Sequence, residues 1–169
     1  MSHFPAFISI EGKECLVVGG GRVAFRKCKG LLAFGASVCV IAPELTEAFE
    51  LLKREQDAGE SVGWLQYKKR KLLEDDLLTG KWALVIAATN DRTVNERVAA
   101  FCHQKGILVN VADNKEACTF FFPAYCKQEE VAVGITTSGT SPKMASFLRE
   151  KLQERLPDWI KEAKESVDE

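Results

Sequence analysis

Two features of this chain are placed to do chemistry: a glycine turn, and an aspartate at the end of an apolar run. The turn lies in Cys15-Leu16-Val17-Val18-Gly19-Gly20-Gly21-Arg22-Val23-Ala24. Residues 15–18 suit a buried parallel strand, and helix formers follow the glycines. Gly19 permits a tight turn, Gly21 lets the backbone approach a pyrophosphate, and Ala24 is small enough for the helix to pack on the strand. The first helical N–H groups and the helix dipole would then face the phosphates. This pattern predicts dinucleotide binding at residues 19–23; a glycine turn without a ligand is the alternative. The aspartate is Asp113, which ends Val109-Asn110-Val111-Ala112-Asp113. It can take a proton while a cofactor takes a hydride, or it is a turn aspartate followed by Asn114.

Smaller polar groups stand at other strand ends. Glu44, after Pro43, can accept from a ribose 2′-hydroxyl and would repel a 2′-phosphate, which favours NAD over NADP. It can equally be an acid at a helix N-terminus. Thr89 and Asn90 can touch the ribose on the nicotinamide side, or they belong to a helix cap with Asp91. The run Thr136-Thr137-Ser138-Gly139-Thr140-Ser141-Pro142 offers hydroxyls before a helix that Pro142 opens. Thr137 and Ser138 there, with Lys143 and Arg149 on the helix, are candidate contacts for an anionic substrate; a capping loop and a solvated helix face are the alternatives.

These groups need a scaffold that brings strand ends together. Strands are predicted at 14–18, 37–42, 62–67, 82–88 and 107–111, and helices at about 22–34, 45–57, 73–79 and 92–104. Short βα units of this kind predict an α/β fold, a Rossmann-like parallel sheet with helices on both faces. Segments 119–126 and 130–136 read as two extended strands. A helix from 142 to about 155 comes next, then Pro157 as a break, then a short helix over 158–167. The chain thus divides into a dinucleotide-binding domain, 1–113, and a small strand-plus-helix dimerisation region, 114–169, too small for a core of its own.

The bulk properties narrow the function further. In 169 residues, a formal net charge of −1 lacks the basic surplus of a nucleic-acid binder. No apolar run reaches the roughly 20 residues of a membrane span. With no signal-peptide pattern either, a cytoplasmic protein is expected. The cysteines at 15, 28, 39, 102, 118 and 126 form no C-x-x-C pair. They read as small buried hydrophobes rather than a metal or disulfide set, and no resident metal is expected.

Read in order, these residues resemble the siroheme synthase family in its precorrin-2 dehydrogenase module. The shared motifs are Phe4-Pro5-Ala6-Phe7, the glycine turn through Ala24, Arg26-Lys27, Ala42-Pro43, and Ala87-Ala88-Thr89-Asn90-Asp91. Val109 to Asp113, Phe122-Pro123-Ala124 and Thr137-Ser138-Gly139-Thr140-Ser141-Pro142 complete them. The resemblance implies NAD-dependent dehydrogenation of precorrin-2 to sirohydrochlorin. It implies a symmetric homodimer, NAD contacts at Arg22, Val23, Pro43 and Glu44, and Asp113 as the key aspartate. Precorrin-2 is an anionic tetrapyrrole, for which Arg22, Lys115, Lys143 and Arg149 are candidate cations. Bifunctional members also insert ferrous iron, and that dehydrogenase/ferrochelatase reading stays open. A non-catalytic NAD-sensing module is the third reading. Two positions depart from the family: Ser146 stands where many members have arginine, and Thr137 where a serine is usual. The methyltransferase domain of the fused members has no counterpart in these residues.

Overall fold

Runs such as Ser37-Val38-Cys39-Val40-Ile41-Ala42 carry no polar alternation, so such a strand must be covered on both faces. In the computed structural model, which describes residues 3–57 and 63–167, this is how they are placed. Strands β1 (Glu14–Val18), β2 (Ser37–Ala42), β3 (Trp64–Lys69), β4 (Leu84–Ala87) and β5 (Leu108–Val111) form one sheet in the order β3-β2-β1-β4-β5. Every pairing in it is parallel. The helices between them are α1 (Arg22–Ala33), α2 (Glu47–Asp57), α3 (Glu74–Thr79) and α4 (Arg92–Lys105). Strand order reverses between β1 and β4, where an open parallel sheet leaves a crevice for ligands.

Alternate residues of each strand serve different layers. Leu16, Val18, Cys39, Ile41, Val85, Ala87, Val109 and Val111 cluster with Leu77 of α3 and Val98, Ala99 and Cys102 of α4. Their neighbours Cys15, Val17, Val38, Val40, Leu84 and Ile86 are buried too, as are Ala24, Cys28 and Leu31 of α1 and Phe49 of α2. Five of the six cysteines are buried, with Cys118 partly so. Burial pushes the thiols of Cys15 up to about 11, and of Cys28 and Cys102 up to about 12, so they stay protonated.

Residues 114–120 stay with the sheet rather than with the segment beyond Phe120. Thr119 donates its backbone N–H to the Val109 carbonyl at 2.9 Å, and its Oγ1 accepts from the Val109 N–H at 2.7 Å. The contacts divide the described chain into Ile8–Phe120 and a second unit made of residues 3–7 and 121–167. In the second unit β6 (Ala124–Gln128) and β7 (Val131–Ile135) form an antiparallel pair, and α5 (Pro142–Val167) packs on both. The first of the two extended segments is therefore regular only from Ala124.

Pro157 does not end the helix. It lies inside the 26 residues of α5. Ala145, Leu152, Leu156 and Ile160 keep a continuous covered stripe, while Pro157 and Gln153 face solvent. The Gln153 carbonyl that loses its intrahelical donor can therefore turn to water.

The crossover from β3 to β4 is held by a buried carboxylate. Asp76, 5% exposed, accepts from Arg70 Nη1 and Nη2 at 2.5 and 2.6 Å, from Leu73 N–H at 2.9 Å and from Lys68 Nζ at 3.3 Å. The Arg70 guanidinium holds its carboxyl well below the usual carboxylate range; Leu73 and Lys68 act in the same sense, against the penalty of burial. A lowered folded-state pKa gives stability that is present above the unfolded value of about 3.9 and lost as pH falls toward the folded one. Arg70 is partly exposed, which screens the pair. Asp76→Asn should therefore cost on the order of 2 kcal/mol at pH 7. Urea melts should show the gap between native and variant closing as pH is lowered below about 4.

Candidate functional site

The parallel sheet brings the carboxyl ends of β1, β2, β4 and β5 to one edge, and the loops leaving them carry Gly19, Gly21, Arg22, Val23, Pro43, Glu44, Thr89, Asn90 and Asp113. Each glycine of the turn meets a different neighbour. Gly19 has φ +126°, and a Cβ there would collide with the Ala88 carbonyl after β4. A Cβ on Gly20 would collide with the Glu44 carbonyl after β2. Thr46 N–H donates to the Gly20 carbonyl at 3.0 Å, so Gly20, unassigned from sequence, joins the first two loops. Around Gly21 a Cβ would meet nothing within 4 Å.

Gly21 is the N-cap of α1. No side chain caps this end, and the first turn holds no acid. Arg22 and Val23 are exposed beside it. Pro43 and Glu44 are exposed as well, and α2 begins only at Glu47. That removes the helix-terminal role for Glu44, because the acids of that first turn are Glu47 and Glu50. Tyr67 donates to the Ala42 carbonyl at 3.0 Å and fixes the end of β2 just before Pro43.

After β4 the cap belongs to Asp91, which accepts from Thr93 and Val94 N–H at 3.0 and 3.3 Å. Thr89 Oγ1 accepts from Asp91 N–H at 3.1 Å and lies 2.8 Å from Asn95 Oδ1. Its hydroxyl is thus committed to the turn, while Asn90 beside it is exposed. Sequence reasoning missed Asn95. It is fully buried on α4, and its Nδ2 donates to Asp113 Oδ1 at 3.1 Å. The signal was a polar residue on the inward stripe that Val98, Ala99 and Cys102 continue.

Lys27, on α1, donates to Asn110 Oδ1 on β5 at 2.6 Å, three residues before Asp113. Burial, then the charge of Arg26, lowers its ammonium to about 8. Asn110 in turn donates to the Phe120 carbonyl at 3.0 Å.

The remaining candidates lie in the second unit. Thr137 Oγ1 donates to the Ser141 carbonyl at 3.1 Å and accepts from Ser141 N–H at 3.2 Å. Ser141 Oγ accepts from Met144 N–H at 3.3 Å, so this stretch caps α5. Ser138 sits in a left-handed backbone, φ 52°. Arg149 pairs within its own helix, to Gln153 and Glu150 at 2.8 and 3.0 Å, and Lys143 is exposed. Among the described residues no three His, Cys, Asp or Glu side chains are grouped as a metal site, and no helix is long and apolar enough to cross a membrane.

The profile of the NAD_binding_7 family, described as NAD(P)-binding, matches residues 6–124. The chain belongs to this NAD(P)-binding family. It is also homologous to siroheme synthases. That of Nitrosomonas eutropha is 37% identical over 158 residues, covering 93% of this chain and 31% of the relative. That of Photorhabdus laumondii subsp. laumondii is 41% identical over 157 residues, covering 93% and 32%. The chain therefore spans less than a third of the length of either relative. Among solved structures, "SirC, precorrin-2 dehydrogenase" superposes with a TM-score of 0.67 at 29% identity, covering 90% of this chain and 71% of that one.

The turn of this NAD(P)-binding family member fits a dinucleotide. Where a Cβ of Gly21 would point there is only open space, in front of an uncapped, acid-free helix start. Backbone amides and dipole are what a pyrophosphate requires. Adding a methyl group there should leave the fold intact and crowd the ligand, whereas at Gly20 it should displace Glu44. We expect Gly21→Ala to melt as the native chain does and to lose about tenfold or more in NADH affinity by fluorescence titration. Gly20→Ala should lose about 1–3 kcal/mol of stability as well.

Proposed function

We propose that this chain oxidises precorrin-2 to sirohydrochlorin with NAD. The observation that carries the reading is the placement of the Asp113 carboxylate on the same sheet edge as the glycine turn, tied through Asn95 to the loop after β4. The likeness to a structure named precorrin-2 dehydrogenase supports it. Bound NAD would supply a two-electron acceptor. In the balance, precorrin-2 gives a hydride to NAD and a proton to base, leaving sirohydrochlorin and NADH.

The protein's work is then positioning and proton transfer. The α1 N-terminus and Gly21 hold the pyrophosphate, with Arg22 and Val23 flanking it. Pro43 and Glu44 receive the adenosine ribose, where a carboxylate selects NAD over NADP. The loop of Thr89 and Asn90 borders the nicotinamide ribose. Asp113 accepts the proton. Thr137, Ser138, Lys143 and Arg149 are the proposed contacts for the substrate's carboxylates, and Arg149 would have to exchange its Glu150 partner to serve. A homodimer completes the reading. Support comes from apolar side chains exposed on α5, namely Met144, Phe147, Leu148 and Trp159. The alternative reading adds iron insertion at the same cleft, with ferrous iron as substrate.

Anaerobic incubation with precorrin-2 and NAD tests this directly. NADH and sirohydrochlorin should form together, faster with NAD than with NADP. Asp113→Ala should lower kcat by about 10² to 10⁴. If a folded, NAD-binding native chain gave no turnover, the dehydrogenase reading would be lost to that of a nucleotide sensor. Adding ferrous iron to sirohydrochlorin, with metallation followed optically, decides the second activity.

A further inference from the structure

Asn95 occupies a position that α4 otherwise fills with apolar side chains. It stands on the stripe 95, 98, 99, 102, at 0% exposure, among Val98, Ala99 and Cys102. An amide there is a burden on the helix, since asparagine is a modest helix former and its polar atoms must be satisfied out of water. Its oxygen and both of its Nδ2 protons have partners. Oδ1 accepts from Thr89 N–H at 3.1 Å and lies 2.8 Å from Thr89 Oγ1. Nδ2 donates to the Thr89 carbonyl at 3.0 Å and to Asp113 Oδ1 at 3.1 Å. The chemistry of the partners fixes the amide's orientation: its oxygen faces a backbone N–H, and its nitrogen faces a carbonyl and a carboxylate.

Bonds to Thr89 alone would serve only to close the turn before α4. The bond to Asp113 does something else, because it crosses 18 residues of sequence to the loop after β5. Asp113 is exposed on that loop, and an exposed carboxylate without such a tether samples several rotamers. We propose that Asn95 is the positioning residue of the proton-accepting carboxylate. It fixes Asp113 through Oδ1, leaves proton acceptance to Oδ2, and holds the carboxylate in register with the cofactor-side loop at Thr89. The inference rests on the reading of Asp113 as the base. Misplacing a reacting group by about 1 Å can cost a hundredfold in rate. Asn95 therefore acts on kcat while touching neither cofactor nor substrate.

A double-mutant cycle tests it. Asn95→Ser stays neutral and polar but is too short to reach Asp113, and Asn95→Leu removes every hydrogen bond of the amide without adding charge. Each is made in the native and Asp113→Ala chains, and single-turnover rates with enzyme in excess keep the slow variants measurable. We expect either Asn95 variant to lose about tenfold to a hundredfold in kcat, with NAD affinity changed less than about twofold. In the Asp113→Ala background the same change should cost less than about twofold, because its route of action is gone. An equal loss in both backgrounds, a loss confined to NAD affinity, or no loss would overturn the proposal. So would failure of both Asn95 variants to fold, which would make Asn95 a core residue. Retention of native kcat by Asp113→Ala alone would remove the base itself, and that single variant reports it separately.

Discussion

The turn after β1 is squeezed between the loops after β2 and β4. Backbone carbonyls stand on both sides of it, Glu44 on one and Ala88 on the other, with no room for a Cβ against either. Only glycine satisfies both contacts. Because they close, the three strand ends reach the edge at one level, and the start of α1 opens into the crevice where the strand order reverses. Ala88 N–H bonds to the Val18 carbonyl, and Ala112 N–H to that of Ala87, which carry the same alignment across to β5. The placement of Asp113 is a downstream result of this packing.

A second tie runs behind the edge. Lys27 sits little more than a turn into α1 and reaches Asn110 on β5, while Asn95 of α4 reaches Asp113. The strand and the loop that lead to the carboxylate are therefore gripped by two different helices. Interiors this close-packed transmit displacement rather than absorb it. A shift of α1 would be felt three residues from the proposed base.

The sheet could be read from sequence because its strands are covered on both faces, so their apolar runs are unbroken. The glycine turn and the opening of α5 at Pro142 were equally plain, since each rests on a local preference of one or two residues, whereas the cap at Asp91 was one of two readings of its loop. What failed depended on tertiary context. Pro157 reads as a break on propensity, yet it faces water on a helix whose other side stays covered. Glu44 reads as a helix-terminal acid only until the helix is seen to start at Glu47. Asn95 left only a faint trace, a polar residue on the inward stripe of α4, and nothing local says what it bonds. Its partner lies on another loop, and the folded chain alone brings them within 3.1 Å.

Glu44 has one more implication. Its carbonyl is locked against Gly20, so the backbone there is fixed, but its side chain is exposed and belongs to no helix. Under the proposed reading, position 44 separates what the scaffold demands from what a ligand reads. In lineages sharing this turn, preference between the two nicotinamide dinucleotides could drift by substitutions at this site with almost no penalty to folding. Gly19, Gly20, Thr89 and Asp113 on that edge have less freedom, since each is packed or bonded against a neighbouring loop or helix.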